Sequence, residues 1–239
     1  MKKNHLLFWL IFLTSPVMLK AQNWGGGADE NRYNWGFSFQ YVSAQYKIDK
    51  NAGWNELKPD LPLQYQRLQS ISSGPTHGFA AGLVGTRKLG DVLDLRLMPM
   101  LVFSEHDLRY QYDSGEPINK SVQATLVDLP LNLILKSERI RNFRAYMTGG
   151  LKYSISIRSG TKNAQISDEW QKELVEKPRF LSYEAGAGMD FYFGFFKMST
   201  EFKVSNSFKN IVQLNEAKVF TEPIDRLKLR SFIFSLIFE

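Results

Sequence analysis

From Trp35 onward apolar and polar residues alternate with a period of two. In Trp35-Gly36-Phe37-Ser38-Phe39-Gln40-Tyr41 the aromatics share one parity and the small or polar residues the other. The same alternation returns around Phe79-Ala81-Leu83, Leu93 to Ser104, Ala124 to Lys136, Arg144 to Arg158, Leu181 to Phe191 and Phe196 to Ser205. It closes the chain with Phe232, Phe234, Leu236 and Phe238 against Ser231, Ile233, Ser235 and Ile237. A two-residue period puts successive side chains on opposite faces of a strand, so the pattern predicts eight strands.

Such strands could form a soluble sandwich with the apolar face inward, or a membrane barrel with that face in lipid. The polar parity separates the two. In a sandwich it would face water and carry long, solvated side chains. Here it is mostly Gly, Ser, Thr and Ala with isolated charges, as a crowded polar interior requires. The apolar parity runs several positions without a charge, matching the roughly 9–11 tilted residues that cross a bilayer. Connections alternate long and short: Ile48–Thr76, Asp113–Gln123, Ser159–Arg179 and Ser207–Arg226 are long. Leu89–Asp91, Glu138–Phe143 and Phe193–Phe195 are short. The prediction is an all-β, eight-stranded antiparallel up-and-down transmembrane β-barrel with long extracellular loops and short periplasmic turns. Its last strand should close against Trp35–Tyr41.

Three local features carry further expectations. Pro99 and Pro130 sit inside strands and each removes a ladder donor, so a bulge or locally broken pairing is expected at both. Beyond Ser104 the apolar residues Leu108, Tyr110 and Tyr112 change parity, and a bulge near Glu105 would return them to the outer face. Residues Ser167–Lys177 have helical spacing, with Asp168 and Glu169 in the first turn and Ile166, Trp170 and Leu174 four apart. Trp170 is therefore a candidate partner contact, together with the Pro-rich Leu57–Tyr65 segment and the basic turn Glu138–Arg144.

The first residues change the picture of charge. Lys2 and Lys3 precede an apolar run from Leu6 to Leu13, and Ala21 follows after Thr14-Ser15-Pro16, the layout of a secretory signal peptide cleaved after Ala21. Domains follow as a signal peptide over 1–21, a periplasmic linker over 22–34 and the barrel over 35–239. Removing Lys2, Lys3 and Lys20 lowers the formal balance from 30 − 24 = +6 to 27 − 24 = +3. A nucleic-acid binder should keep a clustered basic face in its mature form, so none is expected. The chain has no Cys, which excludes disulfides, thiolate metal sites and a cysteine nucleophile.

The inward parity carries Asp94, Arg96, Asp128, Arg144, Lys152, Glu184, Asp190 and Glu201, with Lys136, Arg158, Lys197 and Lys203 in phase. Eight strands enclose an interior just wide enough for side chains, and buried charges persist only when paired. A structural polar core is expected, not a permanent channel. Ser104 and His106 share a strand face near Asp107, but neighbours two apart lie about 6–7 Å apart along the backbone, too far for the contact a Ser–His pair needs. No metal spacing, phosphate loop or cofactor motif stands out. The protein is expected to be no enzyme and to take no cofactor or small-molecule substrate.

Leu126-Val127-Asp128-Leu129-Pro130-Leu131-Asn132-Leu133-Ile134-Leu135-Lys136 resembles the acid-x-Pro-Leu…Lys strand of a broad outer-membrane barrel domain of Bacteroidetes. More narrowly, three stretches resemble the PorT (SprT) family of the type IX secretion system. They are Val92–Pro99, Lys136–Tyr146 with Gly149-Gly150, and Ile224–Leu227 leading to Phe238-Glu239. That resemblance implies an outer-membrane component needed to export cargo proteins and, in gliding species, surface adhesins. Its implied partners are outer-membrane lipid and other type IX secretion components, and it brings no catalytic residues. The competing expectation is a small porin or a ligand-binding or adhesion barrel unrelated to secretion. A lipid A-modifying enzyme using His106 is a third.

Overall fold

A computed structural model describes residues 31–59, 62–113, 116–157, 177–211 and 218–239. The leader and the Trp170 loop, with its expected helix, lie outside the described residues. Ten strands form one sheet: β1 Tyr33–Lys50, β2 Leu68–Ser72, β3 Thr76–Lys88, β4 Leu93–Leu97, β5 Met100–Tyr112, β6 Ile118–Lys136, β7 Phe143–Ser156, β8 Arg179–Tyr192, β9 Lys197–Ser207 and β10 Ile224–Phe238. β4 and β5 are one stave interrupted at Met98-Pro99, and β2 is a short addition to the upper end of β5. The remaining neighbours are antiparallel around a closed ring of eight staves. β10 pairs with β1 from Phe37↔Phe238 upward, and β1 pairs with β3 from Tyr33↔Arg87 to Ala44↔Thr76. Closure leaves no free sheet edge in the bilayer, which lipid would not tolerate.

The two prolines meet across one ladder. Leu97 pairs with Leu131 and Met100 with Asp128, so Met98-Pro99 faces Leu129-Pro130 without a register shift. Each proline loses its donor but keeps its acceptor. Leu83 N–H donates to the Pro99 carbonyl at 3.0 Å and Met98 N–H to the Pro130 carbonyl at 3.1 Å. Pairing is broken locally at Met98-Pro99 and no bulge forms.

The outward parity is apolar through the middle of every stave and turns polar above it. On β1, Trp35, Phe37, Phe39 and Tyr41 give way to Ser43, Gln45, Lys47 and Asp49; on β5, Leu101 and Phe103 give way to Glu105, Asp107, Arg109 and Gln111. On β10, Phe234 and Phe232 give way to Arg230, Lys228 and Arg226. This step marks the outer membrane surface. The inward parity changes in the opposite sense, into an apolar cluster that includes Tyr46, Leu68, Ile71, Leu108, Tyr110, Tyr112, Phe180 and Leu229. The barrel is polar inside where lipid surrounds it and apolar inside where water does.

That inversion corrects the expectation for β5. Leu108, Tyr110 and Tyr112 are 0%, 0% and 4% exposed, and β5 pairs with β6 from Met100↔Asp128 to Tyr110↔Ile118 with no shift. There is no bulge at Glu105. The aromatics stay on the inward parity because the outer face there meets water. It also shortens a loop: β5 runs to Tyr112 and β6 begins at Ile118, so both strands extend into the connection expected over Asp113–Gln123. At the upper end α1 (Lys218–Thr221) packs into the apolar cluster. Its Phe220 is fully buried, with its ring 5.2 Å from that of Tyr110 and its carbonyl accepting from the Tyr110 hydroxyl at 2.9 Å.

Candidate functional site: an ion-pair ladder in the lumen

Inside the membrane belt the charged residues join into one chain of alternating sign. Asp128 meets Lys152 at 3.2 Å, Lys152 meets Glu184 at 3.4 Å, and Glu184 meets Lys203 at 3.2 Å. Lys203 meets Glu201 at 3.1 Å, Glu201 meets Arg96 at 3.3 Å, Arg96 meets Glu239 at 3.4 Å, and Glu239 meets Lys197 at 2.8 Å. Four carboxylates and four cations thus cancel along the ladder. Tyr146 donates its hydroxyl to Glu201 at 3.0 Å, and the Asn132 amide donates to Glu184 at 3.4 Å. Burying an ion costs several kcal/mol unless a partner compensates it; the alternation gives every charge at least one.

The strands make room for these side chains by placing small residues beside long ones. In register, Lys203 lies opposite Gly186, Glu201 opposite Gly188 and Glu184 opposite Gly150. Lys152 lies opposite Ser182, and Asp128 opposite Ser154. A Cβ on Gly188 would stand 2.3 Å from the Tyr146 ring, and one on Gly150 2.3 Å from the Asn132 amide oxygen. Alternating small and large residues are what an eight-stranded interior, filled by its own side chains, needs.

Of the residues singled out from sequence, Arg96, Asp128, Lys152, Glu184 and Glu201 lie in the ladder. Asp94 pairs separately with Lys136 at 2.8 Å, and Asp190 accepts from the Ser199 hydroxyl at 2.5 Å. Arg144 is half-buried opposite Asp190, its guanidinium 5.9 Å from the Tyr192 ring at the lower mouth. Glu239 and Tyr146 join the ladder without having been expected there. The signal for Glu239 along the chain is its phase with Ser235 and Ile237; Tyr146 is in phase with Arg144 and Thr148, but an aromatic on the polar parity carries no mark of an ionic partner.

At the end of the ladder formed by Asp128 and Lys152, these two with Gln40, Ser104, His106 and Ser154 meet apolar residues such as Val102 and Phe180 around a cavity of about 20 Å³, near the space one water needs. Three buried atoms of these residues, Gln40 Nε2, Asp128 Oδ1 and Ser154 Oγ, have no hydrogen-bond partner among the described residues. Ser104 Oγ lies 3.3 Å from His106 Nε2. The two side chains lean together, so the backbone spacing did not keep them apart as expected. Asp107 is on the opposite parity, where it cannot orient that imidazole from the lumen side. Among the described residues no group of three or more His, Asp or Glu is placed to hold a metal.

A closed ring of eight staves, with an apolar outer belt and a neutralised interior, defines an outer-membrane β-barrel protein. The sequence model of the family described as "Outer membrane protein beta-barrel domain" matches residues 21–213, and the chain belongs to that family. None of the curated proteins matches it. Among solved structures it is similar to the outer membrane protein OprG from Pseudomonas aeruginosa, at 12% identity over 86% of this chain and 92% of that one, with a TM-score of 0.40. The protein resides in the outer membrane.

Proposed function

We propose that the protein is a non-enzymatic, non-conducting outer-membrane barrel that works through the proteins it contacts, as a PorT-type component of type IX secretion. The observation that carries the non-conducting part is the ladder itself. It occupies the lumen with paired side chains, beneath an apolar core that includes Phe220. Secretion is supported by the resemblance at Val92–Pro99, at Lys136–Tyr146 with Gly149-Gly150, and at Ile224–Leu227 leading to Phe238-Glu239, whereas the matched family is a fold shared by many functions. In this reading the leader over 1–21 is removed, and partners meet the outer loops. Leu57 and Leu63 there are 63% and 85% exposed, and Trp170 is a further candidate contact from its sequence alone.

Deleting the gene should abolish release of type IX cargo and, in a gliding species, gliding. Normal release and gliding in the deletion strain rejects the secretion reading. A second reading, a small porin or a ligand-binding or adhesion barrel unrelated to secretion, is supported by the buried polar atoms without a hydrogen-bond partner among the described residues, Gln40 Nε2, Asp128 Oδ1 and Ser154 Oγ. Purified protein in a planar bilayer separates the porin from the closed barrel: steady conductance supports the porin, and none supports the closed one.

A further inference from the structure

The outer face of the β10–β1 seam changes character in one step. In the belt Phe234 lies opposite Tyr41 and Phe232 opposite Ser43, with the Phe232 ring 6.3 Å from that of Phe202 on β9. The next outward pairs up the seam are Arg230 with Gln45, Lys228 with Lys47 and Arg226 with Asp49. Same-face neighbours on a strand stand about 7 Å apart, so the cations begin one step above the acyl-chain level.

Lys47 and Lys228 are like charges directly opposite each other on one face, a pairing that costs a sheet stability. Neither ammonium has a carboxylate within ion-pair distance among the described residues. Arg230 Nε donates to the Asn206 side-chain oxygen at 3.0 Å, which ties the guanidinium to β9 and leaves its terminal N–H groups for another acceptor. Arg226 is compensated: its Nε lies 3.4 Å from Asp225, and Asp49 is opposite. Glu222, the next carboxylate down the chain, is taken by Lys58. The excess positive charge therefore rests on Lys47, Lys228 and Arg230.

Two staves round the ring the same level is acidic. Above Phe103 on β5 stand Glu105 and Asp107, opposite Gln123 and Ser121 of β6, before Arg109 is reached. The Ser121 hydroxyl donates to the Glu105 carboxylate. Positive charge at the outer membrane surface is thus a property of the β10–β1 seam and not of the rim as a whole.

We propose that this seam binds a phosphorylated glycolipid of the outer leaflet, of the lipid A class. A headgroup phosphate sits between Lys47, Lys228 and Arg230, and the acyl chains run down over Phe232, Phe202 and Phe234. The phosphate supplies the counter-charge that the facing lysines lack within the chain. Guanidinium N–H groups and ammoniums are the usual donors to phosphate oxygens, and long basic side chains on a barrel wall reach headgroups while their stems cover apolar surface. The order of features, aromatic below and cationic above on the long-loop side, is that of an outer-leaflet lipid with its phosphate at the surface.

Native mass spectrometry of the full barrel released from detergent tests this, with diphosphoryl lipid A and the same lipid A after phosphatase treatment. The wild type should retain the phosphorylated form in preference, and an equal concentration of inorganic phosphate should not displace it. K228Q and R230Q should each weaken its retention about fivefold, with little change for the dephosphorylated form. R109Q, beside the acidic pair on β5, should behave as wild type. All three side chains lie on the outer face, and heat-modified mobility checks that each variant is folded. Equal retention of the two forms by the wild type, unchanged retention in K228Q and R230Q, or an equal loss in R109Q overturns the proposal. Displacement by inorganic phosphate overturns it as well, since the seam would then be a site for a free anion.

Discussion

Glu239 and Lys197 are joined three times over. Lys197 N–H donates to the Glu239 carbonyl at 2.7 Å, Glu239 N–H donates to the Lys197 carbonyl at 2.9 Å, and their side chains pair at 2.8 Å inside the lumen. The same carboxylate reaches Arg96 at 3.4 Å. A residue at the foot of β10 thereby ties β9 to the β4 stave across the barrel.

Glu239→Ala should therefore destabilise the barrel by about 3–5 kcal/mol, the usual cost of stranding a buried charge. It leaves Lys197 without the carboxylate it pairs with and Arg96 with Glu201 alone. Urea unfolding in lipid vesicles measures this, and a midpoint equal to wild type would remove Glu239 from the structural core.

The ladder should behave as a coupled unit. Lys203 bridges Glu184 and Glu201, so Lys203→Met and Glu184→Leu should each be costly, while the double variant should be less destabilised than the sum of the two. A coupling of about 0.5–3 kcal/mol is expected for residues in one network. Strict additivity in a double-mutant cycle would show that the contact carries no energy.

Glycines facing in and facing out should differ sharply. A Cβ on inward Gly186 would stand 2.2 Å from the Phe202 carbonyl oxygen and 2.7 Å from Lys203 Cγ, whereas outward Gly149 has only one atom nearby, at 3.8 Å. Gly186→Val should cost upwards of about 1–3 kcal/mol through overpacking, and Gly149→Ala should stay within about 0.5 kcal/mol of wild type. Refolding yield into vesicles distinguishes them.

The polarity inversion can be mapped by labelling, since the protein has no native Cys. Lys47→Cys and Arg109→Cys, on the wet outer face, should react with a membrane-impermeant maleimide on intact cells. Phe39→Cys and Phe103→Cys, in the lipid belt, should not react, nor should Leu108→Cys, inside the apolar core. Labelling at Leu108→Cys would restore the bulge near Glu105.

The seating of α1 depends on Tyr110. Tyr110→Ala removes a buried ring and its hydrogen bond to Phe220, a change worth about 3–5 kcal/mol for a large aromatic. It should loosen α1 and expose Lys218 to protease on intact cells while leaving the membrane belt folded. Unchanged cleavage would mean that α1 is held by other contacts.

Much of this architecture is local and so was written in the order of residues. The period of two, the runs of several apolar outward positions without a charge in each strand and the three tight turns are enough to place eight strands in a membrane. They also place Asp94, Arg96, Asp128, Lys152, Glu184 and Glu201 on the inward side. Which charge meets which is not local. Arg96 and Glu239 are 143 residues apart and touch only because the ring closes, so no pattern along one strand could name the pair. The same holds for Leu108, Tyr110 and Tyr112. Parity alone cannot tell an apolar residue facing lipid from one facing a core. What decides is the height at which the surrounding medium changes from acyl chain to water, and that height emerges only when all eight staves stand side by side.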